Sequence, residues 1–352
     1  MVQTAEKSSM KTTIRLLAAG DLDAVTAIDR PDFGASRKGF FEKRLAAVQK
    51  TPENYVTLGA ECDGRLAGFV IGRISRGEFG SLRPAAAVDA IGVDQAYRGQ
   101  GIGSALVGAL EAALRDAGVE VVFSQADWTN SNLLRFFEAA GFGLAPRTLL
   151  EGDVPEGALS MNSGLEPSDD DFDEFDELEM PGEGSEELDF SDSVGDDSQA
   201  LARDIVPIRS MQPGDLAAIA AIDVMATGQD RTAYFERAVH DALAESGIRV
   251  SLIATLDDRV VGYVIARVDY GEFGRTTPVA VVDSLGVLPD VRHRHVGTAL
   301  MSQLFMNLQA LRIERVRTVV AWDAFELLLF FANQGFRPSQ RLALWKRIEP
   351  AD

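Results

Sequence analysis

The stretch of this chain with the clearest chemical content runs Val93-Asp94-Gln95-Ala96-Tyr97-Arg98-Gly99-Gln100-Gly101-Ile102-Gly103-Ser104. A β-rich, mostly apolar segment, Ala85–Val93, feeds a glycine loop. The loop opens a long amphipathic helix whose Ile102, Leu106, Leu110 and Leu114 recur at every fourth position. The first amides of a helix have no partner within it. With the helix dipole they make an anion site. Glycine lets the backbone approach a phosphate and adopt left-handed conformations, and Arg98 adds a charge-assisted contact. The local chemistry is phosphate or diphosphate binding. No Lys-Ser or Lys-Thr follows the glycines, which excludes a nucleoside-triphosphate loop. The spacing Gly99-x-Gly101-x-Gly103 also departs from the dinucleotide pattern, and no strand with an acid about 20 residues further on completes that pattern.

Carboxylates near this loop are candidates for proton transfer. Asp89 stands inside the apolar strand before it. A carboxylate there is costly unless solvated or partnered, so Asp89 is the first candidate for a general base. The alternative is a carboxylate that caps a turn or accepts from an arginine. Glu78, in Gly77-Glu78-Phe79-Gly80, is the second candidate and Asp127 the third.

The elements that must position these residues occur twice. Shifted by 194 positions, the chain matches itself without a gap: Gly20-Asp21-Leu22 meets Gly214-Asp215-Leu216, Gly77-Glu78-Phe79-Gly80 meets Gly271-Glu272-Phe273-Gly274, Asp89 meets Asp283, Arg98 meets Arg292 and Gly141-Phe142 meets Gly335-Phe336. A period this long is a duplicated domain. The copies are expected at 11–150 and 204–350, after a frayed stretch at 1–10 that lacks the apolar core of a secretory signal. Within the first copy, Thr13–Leu17 reads as a strand and Lys38–Gln49 as a helix. Tyr55–Cys62 and Arg65–Arg73 form a hairpin about Asp63-Gly64. Val119–Ser124 is a strand and Asn130–Ala140 a helix. Alternating strands and helices predict an α/β domain with a mixed sheet, twice over.

Between the copies, 151–203 is rich in Asp, Glu, Ser and Gly and is expected to be disordered. Residues 151–202 carry 19 Asp and Glu without a Lys or Arg, which accounts for nearly all of the net charge of −20. The two copies are therefore close to neutral, and nucleic-acid binding is not expected. Phe172, Phe175, Leu178 and Phe190 among the acids form a candidate docking motif for a basic partner. The plainer reading is a solvated, self-repelling spacer. No run of 18 apolar residues suggests a membrane span. The single cysteine, Cys62, rules out an intramolecular disulfide, points to a reducing cytoplasm, and with three histidines offers no metal cluster.

Arg98-x-x-Gly101-x-Gly103 after a strand ending Gly92-Val93, followed by Asn130 and Phe136-Phe137-Glu138-Ala139-Ala140-Gly141-Phe142, resembles the GNAT superfamily of acetyl-CoA-dependent N-acetyltransferases. The resemblance covers nearly all of both copies. It implies two domains, each a twisted mixed sheet splayed between its fourth and fifth strands, which pair with one another within the chain. It implies acyl transfer from acetyl-CoA, or another acyl-CoA, to an amine of a small molecule or protein, without a metal. The thioester carbonyl would meet main-chain groups at Ile91, Gly92 and Val93. The diphosphate would lie on Arg98, Gly99, Gln100, Gly101, Ile102, Gly103 and Ser104, and Asn130 and Phe137 would complete the cofactor site.

Two departures from the family pattern follow. The tyrosine that the family often places as general acid is Phe137 here and Phe331 in the second copy, so solvent, Tyr97 or another group serves the leaving thiolate, or the protein is a non-catalytic acyl-CoA-sensing or interaction module. In the second copy His295 replaces Gly101 and Ala324 replaces Asn130, which predicts a weakened or absent cofactor site there; the alternative is a different phosphate site built by His293, Arg294 and His295. Cys62 is expected in the core. Trp128 and Trp322 are expected to pack, and Arg37 and Arg231 to be solvated or to meet an acidic acceptor.

Overall fold

The computed structural model describes residues 12–33, 36–76, 84–155, 203, 205–240, 250–269 and 278–349. Glu78 and most of the acidic linker lie outside them. The first half runs β1 (Thr12–Leu16), α1 (Leu22–Phe33), α2 (Lys38–Lys50), β2 (Tyr55–Cys62), β3 (Arg65–Arg76), β4 (Pro84–Val93), α3 (Ile102–Asp116), β5 (Val121–Asp127), α4 (Ser131–Ala139), β6 (Gly143–Leu144) and β7 (Arg147–Asp153). The second half repeats this order as β8 (Ile208–Ser210), α5 (Leu216–Thr227), α6 (Thr232–His240), β9 (Leu252–Leu256), β10 (Arg259–Asp269), β11 (Val279–Val287), α7 (Val296–Ala310), β12 (Arg315–Ala321), α8 (Phe325–Asn333), β13 (Arg337–Pro338) and β14 (Arg341–Arg347).

The Asp63-Gly64 turn forms where the sequence places it, with φ of 50° and 77° at its two residues, the double left-handed geometry that suits the twist of a hairpin. Helix α3 then lies against β3 through two glycines. A Cβ on Gly72 would stand 2.8 Å from Leu110 Cδ1, and one on Gly68 would stand 3.1 Å from Leu106 Cδ1. This close approach buries Leu106, Leu110 and Leu114 completely, each worth roughly 1.5–3 kcal/mol of transfer free energy. Cys62 is in the same core, as expected.

Each half supplies a strand to the other's sheet. The first sheet has the order β1-β2-β3-β4-β5-β14-β6 and the second β8-β9-β10-β11-β12-β7-β13. β14 runs antiparallel to β5 over seven residue pairs, from Arg341↔Asp127 to Arg347↔Val121. β7 does the same with β12, from Arg315↔Asp153 to Ala321↔Arg147. Residues 147–150, expected in the first domain, thus lie in the second sheet. Residues 151–153, assigned to the linker on composition, complete β7, and Val154 behind them is buried.

The short connection Ala145-Pro146 accounts for the exchange. β6 meets the exchanged strand at Leu144↔Leu344, and the counterpart of Leu344 in the first half is Leu150. If β7 folded back on its own β6 in that register, the chain would have to reverse at Arg147. Arg147 and Thr148 would then leave the sheet, because a hairpin needs at least two loop residues. Exchange keeps all seven pairs.

Both sheets splay between their fourth and fifth strands, as the family resemblance implies. β4 and β5 are parallel and register only at Ala85–Ala87 with Val121–Phe123. The hydroxyl of Ser124 still reaches the Val88 carbonyl, at 3.4 Å, and beyond it the strands part. In the second sheet Thr318 donates to the Val282 carbonyl at 2.9 Å at the same point. At that level β4 carries a bulge: Ile71 faces Ala90 and Gly72 faces Val88, so Asp89 is skipped. β11 skips Asp283 in the same way. A bulge re-aims one side chain and bends the strand, and here it aims a carboxylate at each cleft.

Candidate functional site

The cleft of the first half is lined by Val88 to Ile91 of β4, Ser124, Gln125 and Asp127 of β5, Arg37, Asn130, Leu133 and Phe137, and by Arg341 from the exchanged strand. Arg341 donates from Nη2 to the Gln125 carbonyl at 3.1 Å. The second half therefore contributes a cation to the first half's site. The cavity is small, about 80 Å³.

The glycine loop follows the end of β4. Asp94 caps the turn by accepting from the Ala96 amide at 2.8 Å. Arg98 Nε donates to the Val93 carbonyl at 3.0 Å and so ties the loop to the end of β4. Gln100 Nε2 donates to the Ala96 carbonyl at 3.3 Å. Gly99 and Gly101 are left-handed, with φ of 75° and 82°. Gly101 is the N-cap of α3 and brings no side-chain cap. The first helical bond runs from the Ala105 amide to the Gly101 carbonyl, which leaves the amides of Ile102, Gly103 and Ser104 without an intrahelical partner. A Cβ on Gly101 would meet no protein atom within 4 Å. The space before the helix end is thus open, and its donors suit a diphosphate. The residues in the loop divide by role. Ile102 turns its side chain into the core, 3% exposed, and offers only its amide. Gly103 is small for a packing reason, because a Cβ there would lie 2.7 Å from Phe136 Cε2.

Ile91, Gly92 and Val93 end β4, paired to Val70, Phe69 and Gly68 on one side and past the point where β5 has turned away on the other. Gly92 has a steric reason as well: a Cβ would sit 2.8 Å from Phe69 Cε1. Asn130 is the N-cap of α4, its side chain accepting from the Leu133 amide at 3.1 Å. The cap explains the residue without a ligand, although Asn130 also lines the cleft. Replacing Asn130 with Ala should lower stability by about 1 kcal/mol, the usual value of such a cap. Chemical denaturation of the full chain measures this, and Ala324 in the second half shows the fold tolerates the loss. Phe137 is buried at the floor of the cleft with its ring 4.9 Å from that of Phe142.

Asp89 is fully buried and forms ion pairs with Arg44 Nη2 at 3.1 Å and Arg73 Nε at 3.6 Å. This is the arginine-accepting arrangement weighed above as the alternative to a base. Two guanidiniums beside a buried carboxylate offset the cost of burying it. Sequence reasoning missed both arginines. They lie 45 and 16 positions before Asp89, and only the α2–β3–β4 packing brings them together. Glu78 falls outside the described residues. Asp127 accepts from the amide and hydroxyl of Thr129, at 2.9 and 2.6 Å, and shapes the turn after β5. Tyr97 is half-buried and packs on the first half's core.

Other expectations need correction. Arg37 is not solvated: it is 3% exposed, donates from Nε to Asp29 at 2.7 Å, and lies 5.3 Å from the Phe40 and Phe41 ring centres. Arg231 repeats this with Asp223, Tyr234 and Phe235. Trp128 and Trp322 do not pack in a core; they are 57% and 50% exposed.

In the second half the loop keeps its shape with the wrong residues for it. His293 and His295 are left-handed, with φ of 63° and 62°, where the first half has Gly99 and Gly101. His295 caps α7, and the Ala299 amide donates to its carbonyl at 2.9 Å. A left-handed side-chain-bearing residue costs roughly 1–2 kcal/mol. Its Cβ also stands where the first half leaves open space.

A splayed mixed sheet, doubled, with a helix end opening beside the splay defines an α/β protein of the N-acetyltransferase type. The sequence matches the acetyltransferase (GNAT) family model twice, over residues 22–142 and 218–336, and the chain belongs to that family. No curated protein sequence matches it. Among solved structures it is similar to the glucosamine N-acetyltransferase region of a fungal multi-domain GH3 β-N-acetylglucosaminidase, with TM-score 0.63 and 16% identity; 96% of this chain is covered, and the chain spans 38% of that protein. A tandem GNAT protein from the clavulanic acid biosynthesis pathway aligns with TM-score 0.60 and 16% identity over 97% of this chain and 100% of its own. A GCN5-related N-acetyltransferase from Sphaerobacter thermophilus gives 0.59 and 17%, over 97% of both. At these identities the likeness is one of fold. Among the described residues no helix is long and apolar enough to cross a membrane.

Proposed function

We propose that the first half transfers an acyl group from an acyl-CoA to an amine, and that the second half completes the fold and lends Arg341 to the site. The observation that carries this reading is the left-handed, side-chain-free N-cap at Gly101, with open space before three unpartnered amides. Bound there, the acyl-CoA would supply an activated thioester. The amides of Ile102, Gly103 and Ser104 would hold its diphosphate, with the dipole of α3 behind them. Main-chain donors at Ile91–Val93, on the edge of β4 that β5 has left, would stabilise charge on the thioester oxygen. Asp89 would act chiefly as an anchor for Arg44 and Arg73.

A non-catalytic acyl-CoA sensor is the second reading, favoured by the buried Phe137 where a proton donor would stand. Incubating the full chain with acetyl-CoA and a panel of primary amines, with free thiol as the readout, separates the two. Steady, acceptor-dependent thiol release is the expected result. Saturable acetyl-CoA binding with no release on any amine would leave the sensor, and absence of binding would remove both.

A further inference from the structure

The two halves differ in what they show on their last helix. On α8, Phe325 is 74% exposed and Leu329 64% exposed, and Ala332 is exposed beside them. Positions 325, 329 and 332 share one face of the helix. The same face of α4 carries Ser131, Arg135 and Glu138. An apolar stripe thus stands where the first half is polar, and the exposed Trp322 precedes it. A contiguous apolar patch of this kind marks an interaction surface. The neighbouring loop differs as well. Arg292-His293-Arg294-His295 is exposed throughout, where the first half has Arg98-Gly99-Gln100-Gly101. It borders the stripe: Arg292 Nη1 lies 3.7 Å from Glu326, the residue after Phe325, and a Cβ on Gly297 would stand 2.9 Å from Phe330 Cε2 of α8. His293 and His295 keep their side chains at left-handed φ that glycine would adopt without strain.

The occupant is indicated by where the acidic segment leaves and rejoins the fold. Both its ends meet α7, the helix that this loop opens. The Pro155 carbonyl accepts from Gln309 Nε2 at 3.0 Å, and the Arg203 guanidinium lies on the Met306 sulfur. Gln309 stands roughly 20 Å along the helix from Val296, at 1.5 Å per residue. Phe172 follows Pro155 by 17 positions, and Leu178 precedes Arg203 by 25. The shorter connection can span up to about 55 Å, well beyond the distance required. Between them, Phe172-Asp173-Glu174-Phe175-Asp176-Glu177-Leu178 sets three apolar residues apart by pairs of acids.

We propose that residues 172–178 dock on the α8 face of the second half of the same chain. Phe172, Phe175 and Leu178 would cover Phe325 and Leu329, and the intervening carboxylates would accept from the side chains of the 292–295 loop. The tether places the segment at a millimolar effective concentration, so contacts of modest strength hold it. Docking gives the stripe, the loop and the acidic segment one common role, and it stands independently of acyl-CoA binding at Gly101.

The test uses the full chain carrying the photo-cross-linker benzoylphenylalanine in place of Phe175, with the products of irradiation mapped by mass spectrometry. Cross-links within one chain to residues 292–295 and 322–332, in a yield unchanged on dilution, are the expected result. The double variant Phe325→Ser/Leu329→Ser should lower that yield about tenfold. It should fold, because both side chains are exposed and the first half already has Ser131 at the first position. Arg294→Gln, which imports the residue of the first half, should lower the yield about threefold and gives the reading should the double variant fold poorly. Cross-links to another surface or to none, cross-links that join two chains and fade on dilution, or an undiminished yield in the folded variant would each overturn the proposal.

Discussion

Replacing Gly101 with His should weaken acetyl-CoA binding about a hundredfold while leaving the chain folded. The residue is left-handed at φ 82°, so any side chain adds strain of roughly 1–2 kcal/mol. That strain is tolerable, because His295 already occupies the equivalent cap at φ 62° in the same chain. The larger effect falls on the ligand. A Cβ at position 101 touches no protein atom and projects into the space where the diphosphate would lie. An imidazole there should weaken binding about a hundredfold, near 2.7 kcal/mol. Calorimetry with acetyl-CoA, beside a thermal melt of the unliganded variant, measures both parts. Undiminished binding in a folded variant would place the coenzyme elsewhere.

Deleting residues 340–352 should unfold the first half, although the deleted strand belongs to the second repeat. The deletion removes β14, the partner of β5 over seven residue pairs. It also removes Leu344 and Ile348, both 4% exposed and packed in the first half's core. Each such loss costs about 2–5 kcal/mol, before the ladder hydrogen bonds are counted. Together they rival the whole stability of a domain, about 5–15 kcal/mol. β7 cannot fill the gap, since the two-residue link from β6 prevents it from folding back in register. The truncated chain should lose acetyl-CoA binding and become protease-sensitive between residues 12 and 140. A truncated chain that binds acetyl-CoA as tightly as the full one would show that the exchange is dispensable.

The duplication and the strand–loop–helix unit at residues 85–114 were legible because they are local. Glycine spacing, a 3.6-residue apolar period and the Asp63-Gly64 turn each act within a few positions, and all three formed where the sequence places them. The alignment of His295 with Gly101 was legible too, and both prove to be left-handed caps. The strand exchange was not legible. A strand such as Arg341–Arg347 has the same pattern whichever sheet receives it, and its destination is set by the length of the link before it. The partners of Asp89 were hidden for a related reason, since Arg44 and Arg73 reach it only through packing of α2 and β3. A bulge adds one unpaired residue without changing composition, so the aim of Asp89 into the cleft left no mark in the pattern. Asn130 carried a readable signal, an N-cap residue before an apolar helix, that its position in a cofactor motif obscured.

Amide hydrogen exchange on the full chain, with and without acetyl-CoA, tests the central claim most directly. New protection is expected at Ile102, Gly103 and Ser104, where helix α3 begins, and no change at Val296, Gly297 and Thr298, where α7 begins. Protection at the second set with none at the first, or at neither, would contradict it.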